Sequence, residues 1–161
     1  MPHEEIRGII FIMQPRRIIN KQLGELLLDR RVINKAQLDK ALNTQMEKGG
    51  LLGVILVELG FAKEEDISIS LTAQYGFPYL PLGTYEVSPE VAAIIPARVA
   101  RKYLLVPIDR IGNNLTLAMF NPLDTQAIED VELLSGCSVQ AFVSTSSGIK
   151  RAIGKYYKNT E

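Results

Sequence analysis

The sequence predicts an α+β fold: an N-terminal four-helix part made of two repeated helical hairpins, followed by a small α/β subdomain with an antiparallel sheet. Three observations predict it. Residues 22–45 and 51–74 are one 24-residue pattern written twice, a shift of 29 positions laying Leu23 on Leu52, Gly24 on Gly53, Leu27 on Leu56, Leu42 on Leu71 and Gln45 on Gln74. Within each copy the apolar residues recur at the spacing of one helix face. Past Gly76 the pattern changes to short apolar runs around Gly112-Asn113-Asn114, a hairpin turn signal. A doubled motif suits either a doubled scaffold or a ligand with two equivalent halves.

The elements follow in order. Residues 1–19 are a leader with no element assigned and open to disorder; Met13 is an alternative start, and the lone histidine, His3, falls here. Residues 20–76 form the duplicated subdomain. Its first helix covers Lys21–Arg30, with Leu23, Leu26, Leu27 and Arg30 at helical spacing. Asn34 is the N-cap of the second, with Gln37 three residues on completing a capping box. Its face carries Leu38, Ala41, Leu42 and Gln45, and Gly49-Gly50 breaks it. Leu51–Leu59 is the third helix, closed by Gly60. Lys63–Tyr75 is the fourth: Glu64, Glu65 and Asp66 complement its N-terminal dipole, and Gly76 and Pro78 stop it.

Residues 77–161 form the α/β subdomain. Tyr79–Gly83 is an extended connector. Ser88 caps a short helix with Pro89 at its first position, and Ala97–Lys102 is another helix. Leu104–Ile111 and Leu115–Phe120 are the strands of the hairpin. Leu123–Leu134 is a helix closed by Gly136, Ser138–Ser144 a third strand, and Ser146–Tyr157 a final amphipathic helix.

Composition excludes several function classes. Eighteen basic and eighteen acidic residues cancel, which argues against a nucleic-acid partner. The longest early apolar run, Ile9–Met13, is far short of the ~20 residues of a spanning helix, so no direct membrane insertion is expected. The single cysteine, Cys137, forbids an internal disulfide and fits a reducing compartment; it reads as a small buried hydrophobe or a reactive thiol. One terminal histidine and one cysteine build neither a metal site nor a nucleophile–base pair. No G-x-x-x-x-G-K-[ST] phosphate loop occurs. The expectation is a protein without catalytic activity, metal or resident cofactor.

The repeat supplies the candidate site. Gly24 and Gly53, near helix starts, would let a ligand approach the backbone, where free first-turn N–H groups favour an anion. The competing reading is close helix packing. Gln45 and Gln74 occupy equivalent places, and an amide can hydrogen-bond a base edge; an isolated helical glutamine is otherwise a solvated surface residue. Leu38, Leu42, Ile67 and Leu71, upstream on the same faces, are core or cover a flat ring.

Leu-Gly plus a distant Gln over 24 residues, repeated after a five-residue spacer, resembles the MshEN domain family, the N-terminal part of type II secretion and type IV pilus assembly ATPases. The resemblance extends through Phe77–Leu82, Ser88–Lys102, Val106-Pro107, Leu115–Ala118 and Asn121-Pro122-Leu123 to cover roughly residues 20–157. It implies cyclic di-GMP as a regulatory ligand, with one half-site at Gln22, Leu23, Gly24, Leu38, Leu42 and Gln45. The other would be Leu51, Leu52, Gly53, Ile67, Leu71 and Gln74. The family's ligand-binding pattern opens each copy with Arg; here Gln22 and Leu51 stand there, so neither copy offers a guanidinium to stack on guanine or pair with phosphate. Lys21 and Lys48 are nearby cations. The resemblance further implies a cytoplasmic regulatory or adaptor domain, peripheral at the inner membrane, whose partners are the assembly ATPase and inner-membrane platform components.

Overall fold

The computed structural model describes residues 19–157, with side chains from Gln22 onward. The leader, His3 and Met13 lie outside the described residues, as does the side chain of Lys21.

Four helices open the fold: α1 (Ile19–Asp29), α2 (Lys35–Lys48), α3 (Leu52–Glu58) and α4 (Glu64–Tyr75). Asn34 caps α2 in the expected box, accepting from the Gln37 N–H while the Gln37 side chain accepts from Asn34 N–H. The duplication is visible in the helix ends. Val32 N–H donates to Leu27 O after α1 and Phe61 N–H to Leu56 O after α3, both at 2.9 Å. The residue in the left-handed region is Arg31 (φ 60°) in the first copy and Gly60 (φ 76°) in the second. In α4, Ser68, Ser70 and Thr72 return their hydroxyls to the carbonyls of Glu64, Asp66 and Ser68. That back-bonding gives the hydroxyls of the two buried serines their hydrogen-bond partner within the helix.

A 3-10 turn (Leu82–Thr84) leads to α5 (Pro89–Ala92), capped by Ser88, and α6 (Ala97–Tyr103). The strands β1 (Leu105–Ile111) and β2 (Asn114–Met119) pair antiparallel across Gly112-Asn113, with a bulge between Pro107 and Asp109. Helix α7 (Thr125–Ser135), capped by Asp124, then carries the chain to β3 (Ser138–Val143), and α8 (Ser146–Tyr156) closes the fold.

The sheet is therefore mixed, which corrects one feature of the expected α/β subdomain. The β1–β2 half is antiparallel as expected, but β3 lies parallel to β2, Asn114 facing Ser138 and Met119 facing Val143. The cause is α7: a helix between two neighbouring strands returns the chain to its starting end, so the second strand runs in the same direction.

The core is continuous across both halves. Leu23, Leu27, Leu52, Leu56, Ile67 and Leu71 on the helices, and Leu105, Leu115, Leu117, Met119 and Phe120 on or beside the sheet, belong to one buried cluster. Helix α4 packs on β3. Its first residue, Glu64, also reaches the start of α8, accepting from Ser146 Oγ at 2.6 Å, Ser147 N–H at 3.0 Å and Ser147 Oγ. Cys137 is buried, as a small hydrophobe would be.

Candidate functional site

The two Leu-Gly pairs meet. A Cβ built on Gly53 would lie 3.3 Å from Leu23 Cδ2, and one on Gly24 would lie 3.5 Å from Leu52 Cδ2. Each leucine thus covers the glycine of the other copy, a reciprocal seam that brings α1 against α3. The same positions are then closed from outside the seam. Leu38 Cδ1 stands 2.7 Å from the Gly24 position, and the Phe120 ring, entering from the end of β2, stands 2.5 Å from the Gly53 position. Space beside both glycines is occupied by buried side chains, so close packing accounts for the absence of a Cβ at each.

Helix geometry separates the copies. Gly53 is the second residue of α3, among the N–H groups with no partner inside the helix. Gly24 is the sixth residue of α1 because that helix begins at Ile19. Its N–H lies past the four free donors, so the first-turn anion cradle expected at Gly24 is absent.

The remaining candidates divide by exposure. Leu23, Leu38, Leu52, Ile67 and Leu71 are buried; Gln22, Leu42, Gln45 and Leu51 are half-buried; Gln74 is exposed. Leu51 is the N-cap of α3 and supplies no side-chain cap. Gln45 Nε2 donates to Gly50 O at 2.9 Å, tying that amide to the spacer. The turn at Gly49 (φ 73°) and Gly50 (φ 97°) brings the carbonyl back to it. After α4 only Gly76 is left-handed and the chain runs on through Pro78, and no such turn follows Gln74.

Sequence reasoning missed two surfaces. A cleft of about 420 Å³ lies on α4 between Glu65, Ile69, Thr72 and Ala73, walled by Tyr79 and Thr145. Ile69 is 58% exposed there. At about 100° per residue this face is opposite the one holding Ile67, Leu71 and Gln74, so the cleft is separate from the predicted half-sites. The signal was the pair Ile67 and Ile69, which a helix cannot bury on one face. A second pocket, between the Leu82–Thr84 turn and α8, is lined by Arg151 and Lys155. Its signal was two cations four residues apart on a helix without an acid.

Two acidic groups are electrostatically set. At Glu64, burial opposes ionisation, but the donors from Ser146 and Ser147 and the nearby Arg151 charge hold the carboxyl below its ordinary value. At Asp124, burial and the neighbouring Asp130 outweigh the hydrogen bond from Ala127 N–H and raise it. Burial pushes the Tyr157 hydroxyl up to about 12, and it donates to Ala92 O at 2.8 Å. Among the described residues no group of three or more His, Cys, Asp or Glu side chains is placed to hold a metal ion. No helix there is long and apolar enough to cross a membrane.

The MshEN domain family model matches residues 75–161, just over half of the sequence. This chain belongs to the MshEN domain family. The matched stretch begins at the last residue of α4 and takes in the α/β half, so the doubled motif, which ends at Gln74, lies wholly before it. Relatives cover both halves. The type IV pilus assembly ATPase PilB of Myxococcus xanthus is 35% identical over 136 residues, which is 84% of this chain and 24% of that protein. PilB of Thermus thermophilus is 34% identical over 140 residues, 86% of this chain and 16% of that protein. Type II secretion system protein E of Xanthomonas campestris is 29% identical over 88% of this chain. The chain spans about a quarter or less of the length of the two PilB proteins.

Solved structures agree with the fold of this MshEN domain. The N-terminal domain of XpsE superposes with a TM-score of 0.72 at 26% identity, covering 88% of this chain and 98% of that one. MshE solved with cyclic di-GMP superposes with a TM-score of 0.62 at 29% identity, covering 84% and 98%.

Proposed function

We propose that this MshEN domain is a non-enzymatic regulatory and adaptor module of a type II secretion or type IV pilus assembly ATPase. In this reading it docks the motor to the cytoplasmic side of an inner-membrane platform component. Its doubled motif is a degenerate cyclic di-GMP site. The observation that carries the reading is the reciprocal seam: Leu23 on Gly53 and Leu52 on Gly24, with Phe120 and Leu38 filling what remains. A motif whose glycines are closed by core side chains, and whose Arg positions hold Gln22 and a half-buried Leu51, serves packing first. The apolar cleft beside Ile69, with Tyr79 48% exposed at its edge, supports a docking role.

One observation favours a second reading, a working cyclic di-GMP sensor: the similarity to MshE with that ligand over most of the chain. Calorimetric titration of cyclic di-GMP separates the two. The adaptor reading expects no selective heat for the parent protein and measurable binding once Gln22→Arg and Leu51→Arg are introduced together. Two charge-assisted contacts of roughly 1.5–3 kcal/mol each would be regained. Micromolar binding by the parent, weakened by Gln45→Ala and by Gln74→Ala, would establish the sensor instead. For docking, Ile69→Glu should abolish capture of the cytoplasmic part of the platform component; unchanged capture would remove the cleft from the proposal.

A further inference from the structure

The pocket under α8 has the chemistry of an anion site in the half of the molecule that the doubled motif does not reach. Its volume is about 320 Å³, and it lies between Gly83 and Tyr85 on one side and Gly148, Arg151, Lys155 and Tyr156 on the other. Gly148, Arg151 and Lys155 fall on one face of α8 by spacing. Helix α8 carries Lys150, Arg151 and Lys155 and no acid. Like charges at i and i+4 oppose each other on a helix, and among the described residues neither Arg151 nor Lys155 has an ion-pair partner. The Arg151 charge favours ionisation of Glu64, but that carboxylate is already engaged by three donors at the start of α8.

The pocket wall is fixed. Tyr156 Oη accepts from Val87 N–H at 3.0 Å and donates to Tyr85 O at 3.1 Å, which pins the Tyr85 segment to α8. Lys155 Nζ sits 5.3 Å from the Tyr156 ring centroid, a cation–π placement that keeps the ammonium over this wall. Tyr85 lines the pocket and is 43% exposed, so a flat ring is available there.

We propose that this pocket binds a small phosphate-bearing ligand with a flat ring, of the mononucleotide class. Arg151 forks onto the phosphate oxygens, Lys155 adds a point charge, and the Tyr85 ring receives the base. The volume, at the small end of ligand sites, suits a mononucleotide rather than a dinucleotide. The site is independent of the doubled motif.

The test is titration of ADP, AMP and inorganic pyrophosphate into the whole chain, with saturating cyclic di-GMP in a parallel series. ADP should bind more tightly than pyrophosphate and be indifferent to cyclic di-GMP. The double variant Arg151→Gln, Lys155→Gln changes two exposed side chains, and it should still melt in one cooperative transition, which shows that it folds. Its ADP affinity should fall by at least about tenfold, the scale of one lost charge-assisted contact. Tyr85→Ala should weaken ADP and AMP while sparing pyrophosphate. No ADP binding by the parent, or an unchanged affinity in the double variant, overturns the site. Equal affinities for ADP and pyrophosphate overturn the flat-ring assignment. Capture of an acidic peptide with no response to ADP replaces the ligand site with a docking surface. Loss of the adaptor reading leaves the ADP, AMP and pyrophosphate outcomes untouched, because none of them involves a partner; only the cyclic di-GMP series touches the doubled motif.

Discussion

Single residues show how the two copies diverged while keeping one geometry. Arg31 holds φ 60° where its counterpart Gly60 holds φ 76°, and the same hydrogen bond closes each helix. A non-glycine residue there costs about 1–2 kcal/mol locally, part of which is returned because glycine is freer in the unfolded chain. Arg31→Gly should therefore raise stability by about 0.5–1 kcal/mol, read as an increase in melting temperature; a decrease would mean that the Arg31 side chain holds something the backbone argument omits. The two seam glycines should behave unequally. A methyl on Gly53 collides with the ring of fully buried Phe120, so Gly53→Ala should cost about 1–3 kcal/mol by overpacking. A methyl on Gly24 meets the tip of Leu38, a flexible side chain, and gains up to about 1 kcal/mol of helix propensity. Equal losses at both positions in denaturant unfolding would contradict this.

At the scale of elements, caps and turns were legible because their chemistry is local. Asn34 with Gln37, Ser88 with Pro89, Gly136 after α7 and the Gly112-Asn113 hairpin all stand where spacing placed them. The parallel course of β3 departs from the expected antiparallel sheet, although the order strand, helix, strand carries it: a helical crossover returns a strand parallel. The contact between α4 and α8 was not legible, since nothing in the residues around Glu64 announces Ser146 and Ser147 as partners. It gives a pH prediction. The folded carboxyl is held below its unfolded value, so its stabilisation is fully present above the ordinary glutamate pKa of about 4.3 and is lost as pH falls through the folded value. Glu64→Gln should lower stability at pH 7 by no more than about 1 kcal/mol, because the group is partly solvated. Near pH 3 the gap between parent and variant should close. A gap that is constant with pH would assign the loss to packing.

On the scale of the whole molecule, the duplicated hairpins could be read from sequence but their closure could not. Leu23, Leu52 and both glycines announce a repeat, yet only the folded chain shows that each leucine covers the other copy's glycine. It alone shows that a phenylalanine from the sheet seals the seam. Phe120 is the reason the candidate site and the α/β half are inseparable: its ring fills the position beside Gly53 in α3 while its backbone continues from β2, and its N–H donates to Leu104 O. With α4 packed on β3 and Glu64 bound to the start of α8, the two halves share one apolar core. Such a chain should unfold in a single cooperative step in urea. Hydrogen-exchange protection on α3 and on β2 should then be lost together, and Phe120→Ala, at a cost of about 3–5 kcal/mol, should lower both by the same amount. Two separated transitions, or protection on β2 that survives loss of protection on α3, would show instead that the doubled helices form a unit of their own. A ligand held between their copies would then act on the helical half alone.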